Sequence, residues 1–426
     1  MKAIQQIFGG NVRQYGMFAA LIALLAFFQV ATYLQSGKFV MLTPTNAQNI
    51  INGNSYVLVM AIGMLFVIIT GQIDLAPGSV AAVVGISMAL AIQVWGIPWW
   101  LGLLLALAVG IVIGMWQGTW LAFIGVPGFI TTLAGQMLFR GLDQWIGKAQ
   151  SIPVPPEIQF LGAGYLPEWG PDWTNLNNST LLLGVVAFVA VVIMEFRRRA
   201  RVVRSGGTPV PLWATAIRLI VIAGVLGYLT WLFGSGRRGT SFPVAGCILA
   251  VLVLVYNFIA NRTTLGRGVY AVGGNRAAAA LTGVNTKKIY FLAMANMSFL
   301  AAIAAVLSVG WSTSTGPSDG VGWELNAIAA VFIGGAAVSG GVGTVIGSLI
   351  GGLVMAVLNN GMYLMGVGSD LSQIIRGLVL LVAVAFDLYS KSQGKPSITG
   401  TIARGMKRKK DEEGPLAPPL PEATKS

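Results

Sequence analysis

Groups that titrate, bind metal or attack a substrate are scarce in this chain. Its 426 residues include no His and one Cys, Cys247, set in an apolar stretch. Zinc sites, disulfides and Cys–His nucleophilic pairs are thereby excluded. One carboxylate stands out, Asp74, in the run Thr70-Gly71-Gln72-Ile73-Asp74-Leu75-Ala76-Pro77-Gly78-Ser79 between two apolar stretches. An ionisable group at membrane depth is a functional candidate. Two roles stay open for it: accepting backbone N–H bonds at the first turn of a helix that starts near Pro77, or touching a substrate. Asp319 and Glu324 form the nearest other carboxylate pair and read as helix-cap and surface residues. No cluster of catalytic groups of the kind a membrane-embedded glycosyl or lipid transferase needs is evident.

A glycine-rich segment, Gly266-Arg267-Gly268-Val269-Tyr270-Ala271-Val272-Gly273-Gly274-Asn275, has the composition of a phosphate-binding loop. Its spacing fits neither G-x-G-x-x-G nor G-x-x-x-x-G-K-[ST], so ATP hydrolysis within this chain is not expected. The remaining polar groups inside apolar runs are mostly amides, among them Gln117, Gln136, Asn296, Asn326, Asn359 and Asn360, with Gln93, Gln373 and Arg376. Amides bond sugar hydroxyls or hold helices together in lipid. A row of buried carboxylates, usual in proton-driven pumps, is missing.

The elements that position these groups follow from composition. Hydrophobic residues make up 55% and charged residues 10% of the chain, against about 25% charged in soluble domains. A soluble fold is excluded. Apolar blocks fall at roughly 14–34, 53–70, 75–95, 99–123, 128–146, 178–196, 213–233, 241–260, 289–310, 326–345, 346–363 and 371–388. Backbone in lipid must satisfy its own hydrogen bonds, so each block is expected to be a helix. The reading is all-α: a polytopic membrane protein of about twelve transmembrane helices, filling 1–390. The first block lacks a cleavage site and reads as an uncleaved helix. Helix continuity is expected to fail near 70–80 and at 334–345, where Gly334-Gly335-Ala336-Ala337-Val338-Ser339-Gly340-Gly341-Val342-Gly343 permits a tight turn or close helix contact. Irregular backbone at that depth is tolerated only where it is buried in protein or lines a wet cavity.

The net charge of +13 is an orientation signal. With the amino terminus inside, 21 of the 27 Lys and Arg lie on one side, in the Arg197–Arg204 cluster, the 262–288 loop and the tail above all. Both termini are then cytoplasmic. The 147–177 segment becomes an outside loop with Trp169 and Trp173, either a rest for a partner or a spacer with interfacial anchors. Residues 391–426, ending in Pro-rich charged sequence, read as a disordered tail. In the 262–288 loop, Asn275 suits an N-cap, the Ala277–Ala280 run a helix and Gly283 a stop, which predicts one short helix over 275–281.

These runs resemble a known family, the inner-membrane permease subunits of bacterial ABC importers for monosaccharides of the ribose and xylose type. The family's loop pattern, T-x-x-G-R-x-x-Y-A-x-G-G-N-x-x-A-A-x-x-x-G-[IV], is matched at Thr263, Gly266, Arg267, Tyr270, Ala271, Gly273, Gly274, Asn275, Ala278, Ala279, Gly283 and Val284. G-x-I-D-L-S-x-G-S is similar to Gly71–Ser79, with Ala76 in place of the serine. Ile333-Gly334-Gly335 with Gly340-Gly341-Val342-Gly343, and Phe129-Ile130-Thr131-Thr132-Leu133-Ala134-Gly135 with Phe139-Arg140-Gly141, complete four signatures in order. Two extra spans, about 213–233 and 241–260, resemble the xylose and multiple-monosaccharide permeases more than the ribose one.

The resemblance implies a permease in the bacterial inner membrane, a homodimer, that takes a monosaccharide from a periplasmic sugar-binding protein and is driven by an ABC ATPase subunit, without a cofactor or metal of its own. Gly71, Gln72, Asp74, Gly78, Ser79, Asn359 and Asn360 are the expected translocation pathway. Gly266, Arg267, Gly273, Gly274, Asn275, Arg276, Ala278, Ala279 and Gly283 are the expected ATPase coupling surface. A sugar transporter working without an ATPase, or a membrane-embedded transferase, is the alternative.

Overall fold

The computed structural model describes residues 12–171, 174–207, 209–236 and 240–392. The predicted disordered tail falls almost wholly outside the described residues, as do Trp173, Arg237 and Arg238. Every apolar block contains a helix, but the count of twelve spans is not confirmed. Among the described residues eight helices are long and apolar enough to cross a membrane. They are α1 (Val12–Ser36), α2 (Pro44–Ile69), α4 (Trp99–Thr119), α7 (Asn178–Arg204), α8 (Leu212–Gly234), α9 (Val244–Arg262), α12 (Thr286–Ser312) and α14 (Val345–Leu364). Two blocks shorten: α3 (Pro77–Gln93) has 17 residues and α13 (Trp323–Ile333) has 11. At 1.5 Å per residue these reach about 26 and 17 Å, short of a hydrocarbon core of about 30 Å. Helix α5 (Gly128–Gly147) has the length but carries Thr131, Thr132, Gln136, Arg140 and Asp143. The last block is α15 (Ser369–Ser392).

The core forms around α2, α12 and α14, whose most apolar windows are two-thirds or more buried. Along α4, Gly110, Gly114 and Gly118 face Ala302, Ala295 and Phe291 in turn, so α4 and α12 run antiparallel with backbones close together. Small residues allow this where lipid supplies no hydrophobic drive between helices. Tyr256 of α9 donates to Asn296 Oδ1 of α12, and α9 joins the core. The hairpin of α7 and α8 stays at the periphery, each 6% buried, closed by the Arg218–Glu195 ion pair at 2.9 Å.

Two ends can be told apart. Gly341 N–H donates to Ile69 O, Tyr270 donates to Gly343 O, and Phe123 packs on Phe291, which gathers 120–128, 262–286 and 334–344 at one end. The Arg197–Arg204 cluster closes α7 at that same end, which we term the basic end. At the opposite end Ile152–Pro153 (β1) pairs antiparallel with Ser314–Thr315 (β2), a small departure from the all-helical expectation. The 147–177 connection there is partly a docked structure. Its helix α6 (Pro156–Ala163) buries Ile158 and lays Gly162 against the Leu307 carbonyl of α12.

Candidate functional site

The first break is a crossing made in two parts. Helix α2 ends at Ile69 and Gly71 turns the chain at φ +78°, a conformation that suits glycine. The chain then climbs beside α5: Gln72 abuts Gly128, Ile73 O accepts from Thr132 at 3.4 Å, Ala76 lies by Gly135 and Ile86 by Gly147. An extended stretch, 71–76, and half-helix α3 thus cover the same length as the 20-residue α5. Asp74 is buried, and its Oδ1 accepts from Ala76 N–H at 2.9 Å. Ala76 is the N-cap residue of α3, so the carboxylate orders the turn before the helix rather than capping the first-turn amides. Its Oδ2 is buried with no hydrogen-bond partner. Ser79 turns back to Ala76 O at 2.8 Å and is also buried.

The second expected break is of a different kind. Going from Ala330 to Gly334 in α13, the facing residues in α14 fall from Gly351 to Gly347. The 334–344 segment is therefore a reversal between two antiparallel helices. The true counterpart of the first break precedes α13. Thr315 lies against Gly85 and Gly320 against Gly78, so 315–320 descends along α3 before α13 begins at Trp323. The two half-helices start back to back, and a methyl group on Gly78 would overlap the Gly320 carbonyl oxygen.

Glu324 belongs to this junction and not to the surface. It is buried, accepts from Gln136 Nε2 at 3.2 Å through Oε1, and leaves Oε2 without a partner beside Gly78. Arg140 pins the descending stretch, donating to Asp319 O at 2.6 Å, and lies 3.7 Å from Asp143. Two half-helix N-termini carry positive partial charge, and the buried Asp74 and Glu324 carboxyl groups lie beside them.

The loop at the basic end contains two helices where one was expected. Helix α10 (Thr264–Gly274) precedes α11 (Arg276–Leu281). Glycines make α10 a poor helix on propensity alone. Its Thr263 cap accepts from Gly266 N–H at 3.2 Å, and tertiary contacts supply the rest, with Gly266 set against the Ile259 and Ala260 carbonyls and Gly268 against Ile289. Asn275 caps α11 as read, accepting from Ala278 N–H at 3.0 Å, and Gly283 closes it at φ +84°. Only Ala279 of α11 is buried; Arg276, Ala278 and Leu281 face outward, and Arg267 is exposed.

Gly273 connects this loop to both irregular segments. A methyl group there would overlap Ile69 O, and Gly341 N–H donates to that same oxygen at 2.8 Å. Tyr270 donates to Gly343 O at 2.8 Å. Gly274 touches Gly341. The end of α2, the 334–344 reversal and the end of α10 thus share one contact point.

Asn359 and Asn360 are not with Asp74. They line a cavity of about 660 Å³ towards the other end, between α2, α14 and α15. Asn46 and Asn360 exchange hydrogen bonds of 2.9 and 3.0 Å, and Asn359 donates to Asn54 at 3.3 Å. Asn46, Asn49, Asn54, Tyr56 and Trp311 join them in the lining and were missed in the sequence reading. The missed signal was Thr43-Pro44, a cap followed by Pro in the first turn, which starts α2 nine residues before the expected position and puts 46, 49, 53 and 56 on one helical face.

Comparison with known proteins bears on the whole arrangement. Residues 46–384 match the family described as branched-chain amino acid transport system / permease component. The chain is 34% identical to the xylose transport system permease protein of Haemophilus influenzae over 322 residues, 74% of this chain and 80% of that one. It is 34% identical to the Escherichia coli xylose transport system permease protein over 323 residues, 74% and 77% of the two chains. The ribose import permease protein of Escherichia coli is 30% identical over 310 residues, covering 72% and 74%. No solved structure matches the chain. With a model match that takes in both half-helices, the α10–α11 loop and the amide-lined cavity, the chain belongs to this family of multi-pass transport-system permease components.

Proposed function

We propose that the protein is the transmembrane subunit of an ATP-driven importer that moves a monosaccharide, xylose or several sugars, from a periplasmic binding protein to the cytoplasm. The relatives named for xylose and ribose transport support the sugar class. ATP hydrolysis belongs to a separate ATPase subunit. The basic end faces the cytoplasm, with both termini there, as the bias of Lys and Arg indicates. Two copies form the permease.

The observation that carries the reading is the shared contact of Gly273, Ile69 and Gly341. Helix α11 offers an outward face suited to an ATPase groove, and α10 rests directly on the end of α2 and the 334–344 reversal. Movement of the ATPase would shift α10 and with it the 70–76 and 334–344 backbones, a way to alternate access. Gly71, Gln72, Asp74, Gly78 and Ser79 then belong to the gate and its frame, and Asn359 and Asn360 to the outer part of the pathway. Deleting 275–281, or Gly274→Pro, tests this: sugar uptake and ATPase association should be lost while membrane insertion persists. Unchanged uptake would remove the coupling assignment.

A further inference from the structure

We propose that the cavity between α2, α14 and α15 is a binding site for a neutral monosaccharide within the permease itself, so that this subunit takes part in choosing the substrate. The inference rests on the sugar-importer reading above and adds a site to it.

The lining has the chemistry of sugar recognition. Of its five asparagines, Asn46 and Asn360 bond each other and Asn54 bonds Ile50 O and Asn359, whereas Asn49 keeps two donors and an acceptor, the complement of a ring hydroxyl. The reciprocal Asn46–Asn360 pair holds α2 and α14 in fixed register at the cavity wall. Asn359 donates to Asn54 at 3.3 Å and ties the middle of α2 to α14 beside that pair. Asn49 is half-buried in the lining, one turn beyond Asn46 on the same face. Trp311 and Tyr56 add aromatic surface against which the C–H face of a sugar can lie. About 660 Å³ falls within the roughly 300–1,000 Å³ of small-molecule sites.

Charge selects against the other class that the family description suggests. An amino acid would need a partner for its ammonium group as well as for its carboxylate. Arg376 is the one charged residue of the lining, with Nε donating to Ser372 O at 3.2 Å, and no carboxylate lines the cavity. A zwitterion would leave its ammonium uncompensated, which costs more than leaving a hydroxyl unmade. An uncharged polyol meets no such cost.

The cavity is also wired to the gate. Tyr56 stacks on Trp323 with ring centroids 4.1 Å apart, and Asn326 Nδ2 lies 3.5 Å from the Tyr56 hydroxyl. Trp323 is the first residue of α13, and Ile333, its last, leads into the reversal that touches Gly273. A sugar that moves Tyr56 therefore pushes on a half-helix whose other end meets the α10–α11 loop. The site reports its occupancy to the cytoplasmic side through about three turns of rigid helix.

The test uses the full-length permease with its ATPase and binding protein in proteoliposomes, with radiolabelled D-xylose as the probe. Asn49→Leu and Trp311→Leu should each lower uptake at least tenfold at subsaturating loaded binding protein, and Asn49→Gln should recover most of it. Co-purification with the ATPase shows that each variant has folded. In a second measurement, the solubilised permease–ATPase complex without binding protein should bind D-xylose, lose that binding in both leucine variants, and not exchange it for L-leucine. Wild-type uptake and binding in both variants would overturn the site, as would displacement of xylose by L-leucine. A wild-type complex that transports neither D-xylose nor D-ribose would instead overturn the sugar-importer reading, an outcome distinct from transport that ignores the cavity.

Discussion

Gly341 donates its backbone N–H to the Ile69 carbonyl at 2.8 Å, joining residues 272 positions apart in the chain. Ile69 is the last residue of a long buried helix and its carbonyl has no partner further along that helix. Gly341 satisfies it from the 334–344 reversal, and Gly273 closes over the same oxygen. The α10–α11 loop thus bears on a bond between the end of α2 and the 334–344 reversal. Movement of one of the three cannot leave the other two unaffected.

Gly273→Ala should break this contact, because the added methyl group overlaps backbone that cannot rotate aside. We expect sugar uptake to fall at least tenfold. Gly227→Ala in α8, where nothing lies within 4 Å of an added Cβ, should transport as wild type. Proteoliposome uptake of both variants, with co-purified ATPase as the control for assembly, checks the pair.

Gly78→Ala should act on stability first. Its methyl group would meet Gly320 backbone and crowd the Glu324 carboxylate, and overpacking of this kind costs about 1–3 kcal/mol or more. The measurement is the thermal unfolding midpoint in detergent, which should drop by several degrees, with Gly227→Ala unchanged.

Asp74→Ala and Asp74→Asn should differ. Alanine removes the acceptor for Ala76 N–H and leaves a buried donor unpaired, at a cost of about 1–3 kcal/mol. Asparagine keeps an oxygen in the same place but replaces the carboxyl group beside the half-helix N-termini with an amide. We expect Asp74→Ala to lose both thermal stability and uptake, and Asp74→Asn to keep most of its stability while uptake is impaired. Wild-type uptake by Asp74→Asn would reduce the carboxylate to a turn-former.

Asn275→Ala should loosen α11 alone. Loss of an N-cap costs about 1 kcal/mol, which matters in a helix of six residues. Pull-down of the ATPase should weaken and uptake should fall, while insertion and the thermal midpoint of the membrane portion hold. Asn275→Asp or Asn275→Ser should restore both.

Much of this was legible in the chain. Apolar runs of about 20 residues mark helices in lipid because no other backbone form satisfies its own hydrogen bonds there. Asn275 and Gly283 marked the limits of α11 because capping is a local matter. Helix α10 was illegible for the opposite reason, since glycine disfavours helix locally and only contact with Ile259, Ala260 and Ile289 makes it favourable. Glu324, read as a surface residue, is buried because its helix starts against Gly78 of α3 and Gln136 of α5, which residue type alone does not reveal. The early start of α2 puts Asn46 and Asn49, which precede the apolar run expected at 53–70, on a helix face.

Composition, helix-forming apolar runs and local caps were thus determined by the sequence itself, as was the membership in a permease family through four ordered motifs. The meeting of those motifs was decided only by the tertiary structure. Gly273, Ile69 and Gly341 come together, Pro77 and Trp323 start back to back, and Asn46 pairs with Asn360 because close backbone packing between helices distant in sequence selects small residues and satisfies stranded polar groups. Periodicity along one segment carries no information about which other segment will supply the partner.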